Sequence, residues 1–534
     1  MMMDPTGDQV ELIGKKYEYD PSMKLPLERQ RTRTDFPFLV TLGIYFTVGL
    51  AIAIYAYSAG SLGHPSTNSN KILSTNFGST SHVENKENYN TGSSDNFGSI
   101  HVRGRSHIYI RTVRSLSSNP ITETPADIIR TVNEAGGAIF GLNVLGILLA
   151  LAYIILLRYH AKFVVYSVIG LIFLAVVAVF SFCTYSYILH ETSWELLLAI
   201  FSFIIFLIIL VIFLVLRKKI VIACEVIKYS SKAVLFFPST LLFPILPYIL
   251  YISTFAFCTS VDFYLSMVTS GLHGTSPPHT KLFRFINLFG FLWYTSFVTG
   301  FTQMVLSGGF VTWYWARNKS DVPKNTIIKS MKITSKYHLG TIALGSLIVA
   351  LCQVINMMIE TLRKIFKGRC SPIAWLCCCG WGCGCGFSCF RTLFKILEKV
   401  MNLINTNAYI MSITHGTDFI RSAKDAFYLL MRNIVKCIVI YKITDAILFI
   451  GTLLNCIISL LIVFASYGYN DKFWIVGTVI VVCNILISLS FFMVLRTAIN
   501  TIFLAVLEDF ERNDGTEARP YFMNNRLKQL LLTE

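Results

Sequence analysis

The chain of 534 residues is 54% hydrophobic and only 14% charged, which excludes an ordinary soluble protein, because such proteins are about one quarter charged. Its net charge of +16 does not indicate nucleic-acid binding, since the basic residues lie between apolar runs instead of forming one basic region. The chain has no P-loop, His-Glu-x-x-His or nucleophile-elbow motif, so the sequence predicts neither an enzyme nor an ATP-driven pump, and no cofactor.

The first 35 residues are polar and become basic just before the first apolar run, at Arg29, Arg31 and Arg33. They show no cleavable signal pattern. Positive charge beside a membrane span favours the cytoplasmic side. Residues 1–35 are therefore predicted to form a cytoplasmic tail, and residues 36–58 the first transmembrane helix.

The apolar runs predict a bundle of membrane helices, because a helix needs about 20 apolar residues to cross a bilayer. Nine runs qualify, at about 36–58, 138–157, 163–189, 194–216, 238–268, 286–312, 338–359, 443–466 and 473–495. A tenth, weaker span at 396–420 would return the C-terminus to the side of the N-terminus. The predicted fold is all-α, a polytopic bundle of about ten transmembrane helices with both termini cytoplasmic.

The charges between the spans support this topology. The segments predicted to be cytoplasmic are basic, and they are 158–162, 217–219 and 317–336. The loop 360–395 is the exception, because it is predicted to be outside although it carries four basic residues between 363 and 369. An amphipathic hairpin on the cytoplasmic face is the alternative for this loop.

The remaining segments complete the predicted organisation. Residues 59–137 are rich in Ser, Asn and Gly and are predicted to form an extracellular loop, without a cysteine or an Asn-x-Ser/Thr sequon. Residues 138–508 form the main membrane bundle and residues 509–534 a cytoplasmic C-terminal tail. Seven of the 14 cysteines lie between 370 and 389 in no recognised zinc spacing. Lipidation or apolar packing is favoured there over disulfides or metal.

The fifth apolar run contains Pro238, Pro244 and Pro247. Proline removes a backbone donor and clashes with the preceding turn, so this run is predicted to be a broken helix. Broken helices often line substrate cavities in membrane bundles. A kink that only improves packing is the alternative.

The sixth run, through Trp315, is too long for a perpendicular helix, and we expect it to tilt, to break at Gly308-Gly309 or to extend beyond the bilayer. At 100° per residue its small and polar residues share one arc, and they are Thr295, Ser296, Thr299, Gly300, Thr302, Gln303 and Ser307. Such an arc either lines water or lets helices approach closely. Under the first hypothesis Ser296 and Gln303 face a hydrated cavity.

The seventh run repeats the pattern with Gly345, Gln353, Asn356 and Glu360 at steps of three and four residues. An ionisable group at membrane depth is costly and indicates function, which makes Glu360 a candidate. The alternative is that Glu360 lies at the end of the span, among the lipid headgroups.

Short motifs follow one another through the second half of the chain. They are Phe289–Trp293, Gln303–Leu306, Trp313–Trp315, Tyr337–Gly340, Ala343–Ile348, Asn407–Met411, Ser422–Phe427, Leu429–Asn433, Lys442–Asp445, Leu507–Gly515 and Arg519–Met523. In this order and spacing, residues 217 to 523 resemble the choline transporter-like family (solute carrier family 44). The first outside loop departs from the family pattern, because it is short and lacks the usual cysteines and glycosylation sites.

The resemblance implies about ten spans and facilitated uptake of choline or a related organic cation across the plasma membrane without ATP hydrolysis. Intracellular membranes are an alternative location, and the oligomeric state stays open. Choline has a quaternary ammonium group, which proteins hold with aromatic faces assisted by oxygen atoms. The candidate substrate-binding residues are Trp293, Gln303, Ser296, Tyr248, Gln353 and Glu360. A regulatory or interaction role in the membrane, without transport, is the alternative function.

Overall fold

The computed structural model describes residues 17–18, 25–62, 125–190, 193–270, 278–369, 384–468 and 471–533. Within these ranges all regular structure is helical. The α helices are α1 Phe36–Leu62, α2 Pro125–Glu134, α3 Gly136–His190, α4 Ser193–Phe236, α5 Ser239–Leu242, α6 Ile245–Ser270, α7 Pro278–Trp315, α8 Thr326–Tyr337, α9 Leu339–Arg369, α10 Gly384–His415, α11 Phe419–Arg432, α12 Ile434–Tyr467, α13 Asp471–Arg512 and α14 Asn525–Leu532. Short 3-10 turns lie at Pro26–Glu28 and Lys319–Asp321.

Among the described residues, seven helices are long and apolar enough to cross a membrane, and they are α1, α3, α4, α6, α9, α12 and α13. The prediction of an all-α polytopic membrane protein is thus confirmed. The number of spans and the side on which the termini lie stay predictions. The predicted span at 286–312 falls within α7, whereas that at 396–420 begins in α10 and passes the end of this helix at His415 into α11. Neither α7 nor α10 is among the seven.

α3 contains two predicted spans, 138–157 and 163–189, within its 55 residues. The two parts meet at a kink at His160, where the backbone is non-helical (φ −123°, ψ 33°). His160 lies in the short basic segment 158–162 that separates the two runs in the sequence.

Of the three alternatives expected for α7, the break does not occur, because the helix continues through Gly308-Gly309. Its 38 residues extend about 57 Å, well beyond the apolar thickness of a bilayer. The two glycines instead let α8 approach, since a Cβ on Gly308 would collide with Ser330 and one on Gly309 with Ile327. The chain does break at the prolines of the fifth run. α4 ends at Phe236, and the short α5 precedes α6.

The second half of α3 packs against the first half of α4 through aromatic pairs such as Phe180 and Phe203, whose ring centroids are 5.6 Å apart. The outer surface of this pair is apolar and exposed, with Phe163 and Phe182 about 70% accessible. An exposed apolar surface of this extent suits lipid and not water. Beyond Ile220, α4 lies inside the protein core, where Ala223 and its neighbours are fully buried.

The two chain tails meet at one end of the bundle. The backbone N–H of Tyr17 donates to Glu511 at 3.4 Å, and Arg512 donates to the carbonyl oxygen of Glu18 at 2.9 Å. Both tails therefore lie at the end where α7 and α13 terminate. That this end is cytoplasmic remains a prediction.

Several sequence predictions concern residues outside the described ranges. They include most of the loop 59–137, both chain ends and five of the seven clustered cysteines. Cys385 and Cys389 lie in the first turns of α10.

Candidate functional site

The polar arc of α7 faces the interior of the bundle. The hydroxyl of Thr299 is 2.9 Å from that of Tyr251 on α6. The side-chain oxygen of Gln303 accepts a hydrogen bond from Thr406 on α10, at 3.4 Å. We call these four residues the polar seam. One turn further, Ser307 accepts from Thr501 of α13 at 3.0 Å, so the arc contacts three different helices.

Close helix approach occurs at the same level as the polar seam. Tyr409 of α10 is 1% exposed, and its hydroxyl donates to the carbonyl oxygen of Ile342 at 3.3 Å. Its side chain fills the space left by two glycines, because a Cβ on Gly300 or on Gly345 would lie within 2.8 Å of it. Gly300 thus permits the close helix approach expected from the sequence, while its polar neighbours contact other polar groups. That Ser296 and Gln303 face a hydrated cavity stays a prediction.

Two amides on α9 and α10 have an unpartnered oxygen. The Oε1 atom of Gln353 and the Oδ1 atom of Asn405 are buried and accept no hydrogen bond from the described residues. A buried acceptor without a donor costs about 1–3 kcal/mol. Water or a ligand with a hydroxyl group would relieve that cost. Asn405 lies next to Tyr409, since a Cβ on Gly345 would collide with both side chains.

Glu360 lies in an ion pair. Its carboxylate is 3.1 Å from Nε of Arg391 on α10, and both side chains are about one third exposed. One turn earlier, the side-chain amide of Asn356 donates to Glu398 of α10. These contacts join α9 to α10 near the end of α9, which agrees with the alternative placement of Glu360 at the end of its span.

Trp293 does not lie with the other predicted binding residues. It is 2% exposed, and its indole N–H donates to the hydroxyl of Ser346 at 3.2 Å. Its ring contacts Tyr45 of α1 and Phe289, at centroid distances of 5.3 and 5.9 Å. The side chain fills the junction of α1, α7 and α9 in this conformation.

Tyr248 adjoins the polar seam through a residue that the sequence analysis missed. Its hydroxyl donates to the carbonyl oxygen of Leu486 on α13 at 3.2 Å, and its ring stands perpendicular to that of Tyr251, 6.2 Å away. Tyr251 lies one helical turn after Tyr248, and this spacing is the signal that could have identified it. Ser296 is half-buried, one turn before Thr299.

The polar seam is chemically neutral. It consists of hydroxyl groups, an amide and a tyrosine ring, and Tyr248 adds a second ring. Such groups offer oxygen atoms and aromatic faces without a fixed charge. They suit a cation that cannot donate a hydrogen bond, since aromatic faces attract it electrostatically.

A second buried polar group joins α3, α12 and α13. The side-chain amide of Asn455 donates to the hydroxyl of Ser488 at 2.8 Å and to the carbonyl oxygen of Gly146 at 3.2 Å. Asn484 is fully buried beside Gly146, and neither atom of its amide group has a partner in the described part of the chain. Sequence analysis did not predict this group, because each helix contributes only isolated polar residues to an apolar run.

Comparison with known proteins gives one consistent result. Residues 200–511 match the profile of a family described as plasma-membrane choline transporter. Choline transporter-like protein 2 of Danio rerio is 32% identical over 467 residues, which cover 72% of this chain and 65% of the relative. Choline transporter-like protein 1 of Caenorhabditis elegans is 33% identical over 396 residues, covering 65% of this chain and 49% of the relative. The chain spans about half to two thirds of the length of such relatives.

Proposed function

Because this chain belongs to the choline transporter-like family, a family of transporters and not of enzymes, we propose that it carries choline or a closely related organic cation across the plasma membrane. The observation that supports this proposal is the polar seam, a set of neutral oxygen atoms and a tyrosine ring inside a bundle whose outer surface is apolar. The proposed transport needs no ATP hydrolysis.

We propose that Tyr248 and Tyr251 hold the quaternary ammonium group of the substrate, since it cannot donate a hydrogen bond and is attracted by aromatic faces. Gln303 and Thr406 would accept or donate a hydrogen bond at the hydroxyl group of choline. The unpartnered oxygen atom of Asn405 is a further acceptor near them.

The membrane potential supplies enough free energy for such uptake. Moving one positive charge through 100 mV is worth about 2.3 kcal/mol. At about 1.4 kcal/mol per tenfold change, that free energy concentrates a monovalent cation roughly fiftyfold.

The test is uptake of labelled choline by vesicles that contain only this protein. We expect saturable uptake that increases when the vesicle interior is made negative. Uptake no greater than in protein-free vesicles, by correctly folded protein, would contradict transport. It would favour a regulatory or interaction role in the membrane.

A matched pair of substitutions tests the proposed site. Tyr251→Leu removes the aromatic face, whereas Tyr251→Phe removes only the hydroxyl group that contacts Thr299. A cation–π contact is worth about 0.5–2 kcal/mol, so Tyr251→Leu should weaken apparent choline affinity by roughly twofold to thirtyfold. Tyr251→Phe should have a smaller effect. The control is Tyr185→Leu on the exposed surface of α3. Equal affinities in Tyr251→Leu and Tyr251→Phe would place the ammonium elsewhere.

A further inference from the structure

Residues 25–35 of the N-terminal tail cross the end of the bundle where the tails meet. We call this segment the strap. It contacts the ends of four helices, α8 to α11, through Tyr337, Thr341, Ile413 and Phe419, and it packs against the interior of α7 at Met304. These helices include α7 and α10, which carry three residues of the polar seam.

The apolar part of the strap lies next to the polar seam. Leu27 is 4% exposed and packs in one apolar cluster with Met304, Tyr409 and Ile413. Met304 directly follows Gln303, and Tyr409 lies one turn after Thr406. Leu27 therefore lies inside the bundle, between the polar seam and the end at which the two tails meet.

Arg31 is the main polar anchor of the strap. Its guanidinium group donates to the carbonyl oxygen of Pro26 and to that of Ile413, each at 2.6 Å, and to Nε2 of His338 at 2.7 Å. Ile413 lies in the last turn of α10, where the helix dipole favours a positive charge. Burial lowers the pKa of Arg31 to about 10, so the group stays charged at neutral pH.

Further contacts fasten both ends of the strap. Arg29 donates to Nδ1 of His415 at 2.8 Å, and Nε2 of that ring is 3.2 Å from Glu508 of α13. At the other end, the carboxylate of Asp35 accepts from the backbone N–H of Phe419 at 2.8 Å and from the hydroxyl of Thr341 at 2.7 Å.

We infer that the strap is the gate at this end of the transport path. It closes the end of the polar seam in this conformation, and it detaches when substrate passes there. This inference rests on the proposed function. The attachment suits reversible release, because hydrogen bonds and only three buried residues, Pro26, Leu27 and Thr34, hold the strap. Water can replace those hydrogen bonds once the strap detaches. A tightly packed helix would instead have to separate a large apolar interface.

The first test measures access to the seam and does not depend on transport. The substitution Thr406→Cys introduces a cysteine into the polar seam, and the rate at which a membrane-impermeant thiol reagent labels it is measured. The reagent is applied from the side of the membrane on which a C-terminal tag is accessible. The variant Arg31→Ala removes the main anchor. The matched control is Arg33→Ala, because Arg33 is exposed and forms no hydrogen bond or ion pair with the described residues. Rates are compared with the same chain without Thr406→Cys, which corrects for the native cysteines.

We expect Arg31→Ala to speed the reaction of the introduced cysteine at least fivefold, and Arg33→Ala to leave it unchanged. Equal rates in the two variants, both monodisperse after purification, would show that the strap is only a structural brace. Slow labelling of the introduced cysteine in every variant would also contradict the role of the strap as a gate.

The second test locks the strap instead of releasing it, and it covers the case in which Arg31→Ala does not fold. The hydroxyls of Thr34 and Thr341 are 2.7 Å apart, so the double variant T34C/T341C places two thiols within reach of a disulfide. We expect oxidation to abolish choline uptake and reduction to restore it. Uptake that persists in the oxidised protein would overturn the gate. Absence of uptake in the unmodified chain would instead contradict the proposed function, while the labelling test would still be informative.

Discussion

At the scale of single residues, the burial of Trp293 favours a role in stability over contact with the substrate. The resemblance to a family of choline transporters made this tryptophan a candidate for contact with the substrate. In the structure its indole N–H is bonded to Ser346, and its ring is enclosed by Tyr45 and Phe289. Neither face is open to a ligand in this conformation, so we expect it to contribute to stability.

Trp293→Leu should therefore lower thermal stability and leave choline affinity within twofold of the parent protein. Loss of the buried ring and of the indole hydrogen bond is worth about 1–3 kcal/mol. Melting of the purified protein in detergent, together with choline uptake, provides both measurements. Trp194→Leu on the exposed surface of α4 is the control, since it removes a tryptophan that is 66% exposed. A loss of affinity without a loss of stability would restore Trp293 as a binding residue.

His338 links the strap to the bundle in its neutral form. Nε2 accepts from Arg31, which leaves the proton on Nδ1, 3.1 Å from the hydroxyl of Thr34. Burial, assisted by the charge of Arg31, lowers the pKa of His338 to about 3. The strap therefore keeps this contact throughout the physiological pH range.

The depressed pKa of His338 predicts a pH-dependent stability. The unfolded chain binds a proton near pH 6.5 and the folded protein does not, so this contribution is complete above pH 6.5 and declines as pH falls toward 3. By pH 5 the loss is about 2 kcal/mol. We expect the melting temperature of His338→Gln to fall less between pH 7.5 and 5 than that of the parent protein. The exposed His279→Gln is the control. If the melting temperatures of the parent protein and of His338→Gln fall equally between pH 7.5 and 5, His338 does not cause the loss of stability.

At the scale of helices, small residues decide how closely α7, α9 and α10 pack. Gly300 and Gly345 lie on opposite sides of Tyr409, and the side chain of that tyrosine fills the gap between their helices. Such close approach is a common basis of helix association in membranes, where apolar side chains gain little by leaving lipid.

Gly300→Ala should disturb this packing, because the added methyl group would lie 2.8 Å from the Tyr409 ring. Overpacking of this kind costs about 1–3 kcal/mol. Gly170→Ala in α3 is the matched control, since no atom lies within 4 Å of the added methyl group. We expect a lower melting temperature for Gly300→Ala alone, and partial recovery when Tyr409→Leu is added. Equal melting temperatures for Gly300→Ala and Gly170→Ala would mean that α7 and α10 accommodate the added methyl group without a loss of stability.

At the scale of the whole molecule, the apolar runs were sufficient to predict a helical membrane protein. They also separated the runs 138–157 and 163–189, between which α3 has its kink at His160. The partners of polar residues were beyond sequence analysis. Arg29 and Arg31 were interpreted only as topology signals, although both donate to histidines more than 300 positions away. Charge can be recognised in a sequence, but the position of a distant acceptor depends on the folded bundle.

The contact between the tails has a consequence for biosynthesis. Tyr17 leaves the ribosome before Glu511, which accepts its backbone hydrogen bond and is made 494 positions later. At about 5–20 residues per second, the N-terminal tail waits roughly 25–100 s for this partner. Throughout that interval the tail stays available to chaperones and degradation enzymes. The completed contact therefore distinguishes a chain that has folded with α13 in place from one whose translation stopped before Glu511.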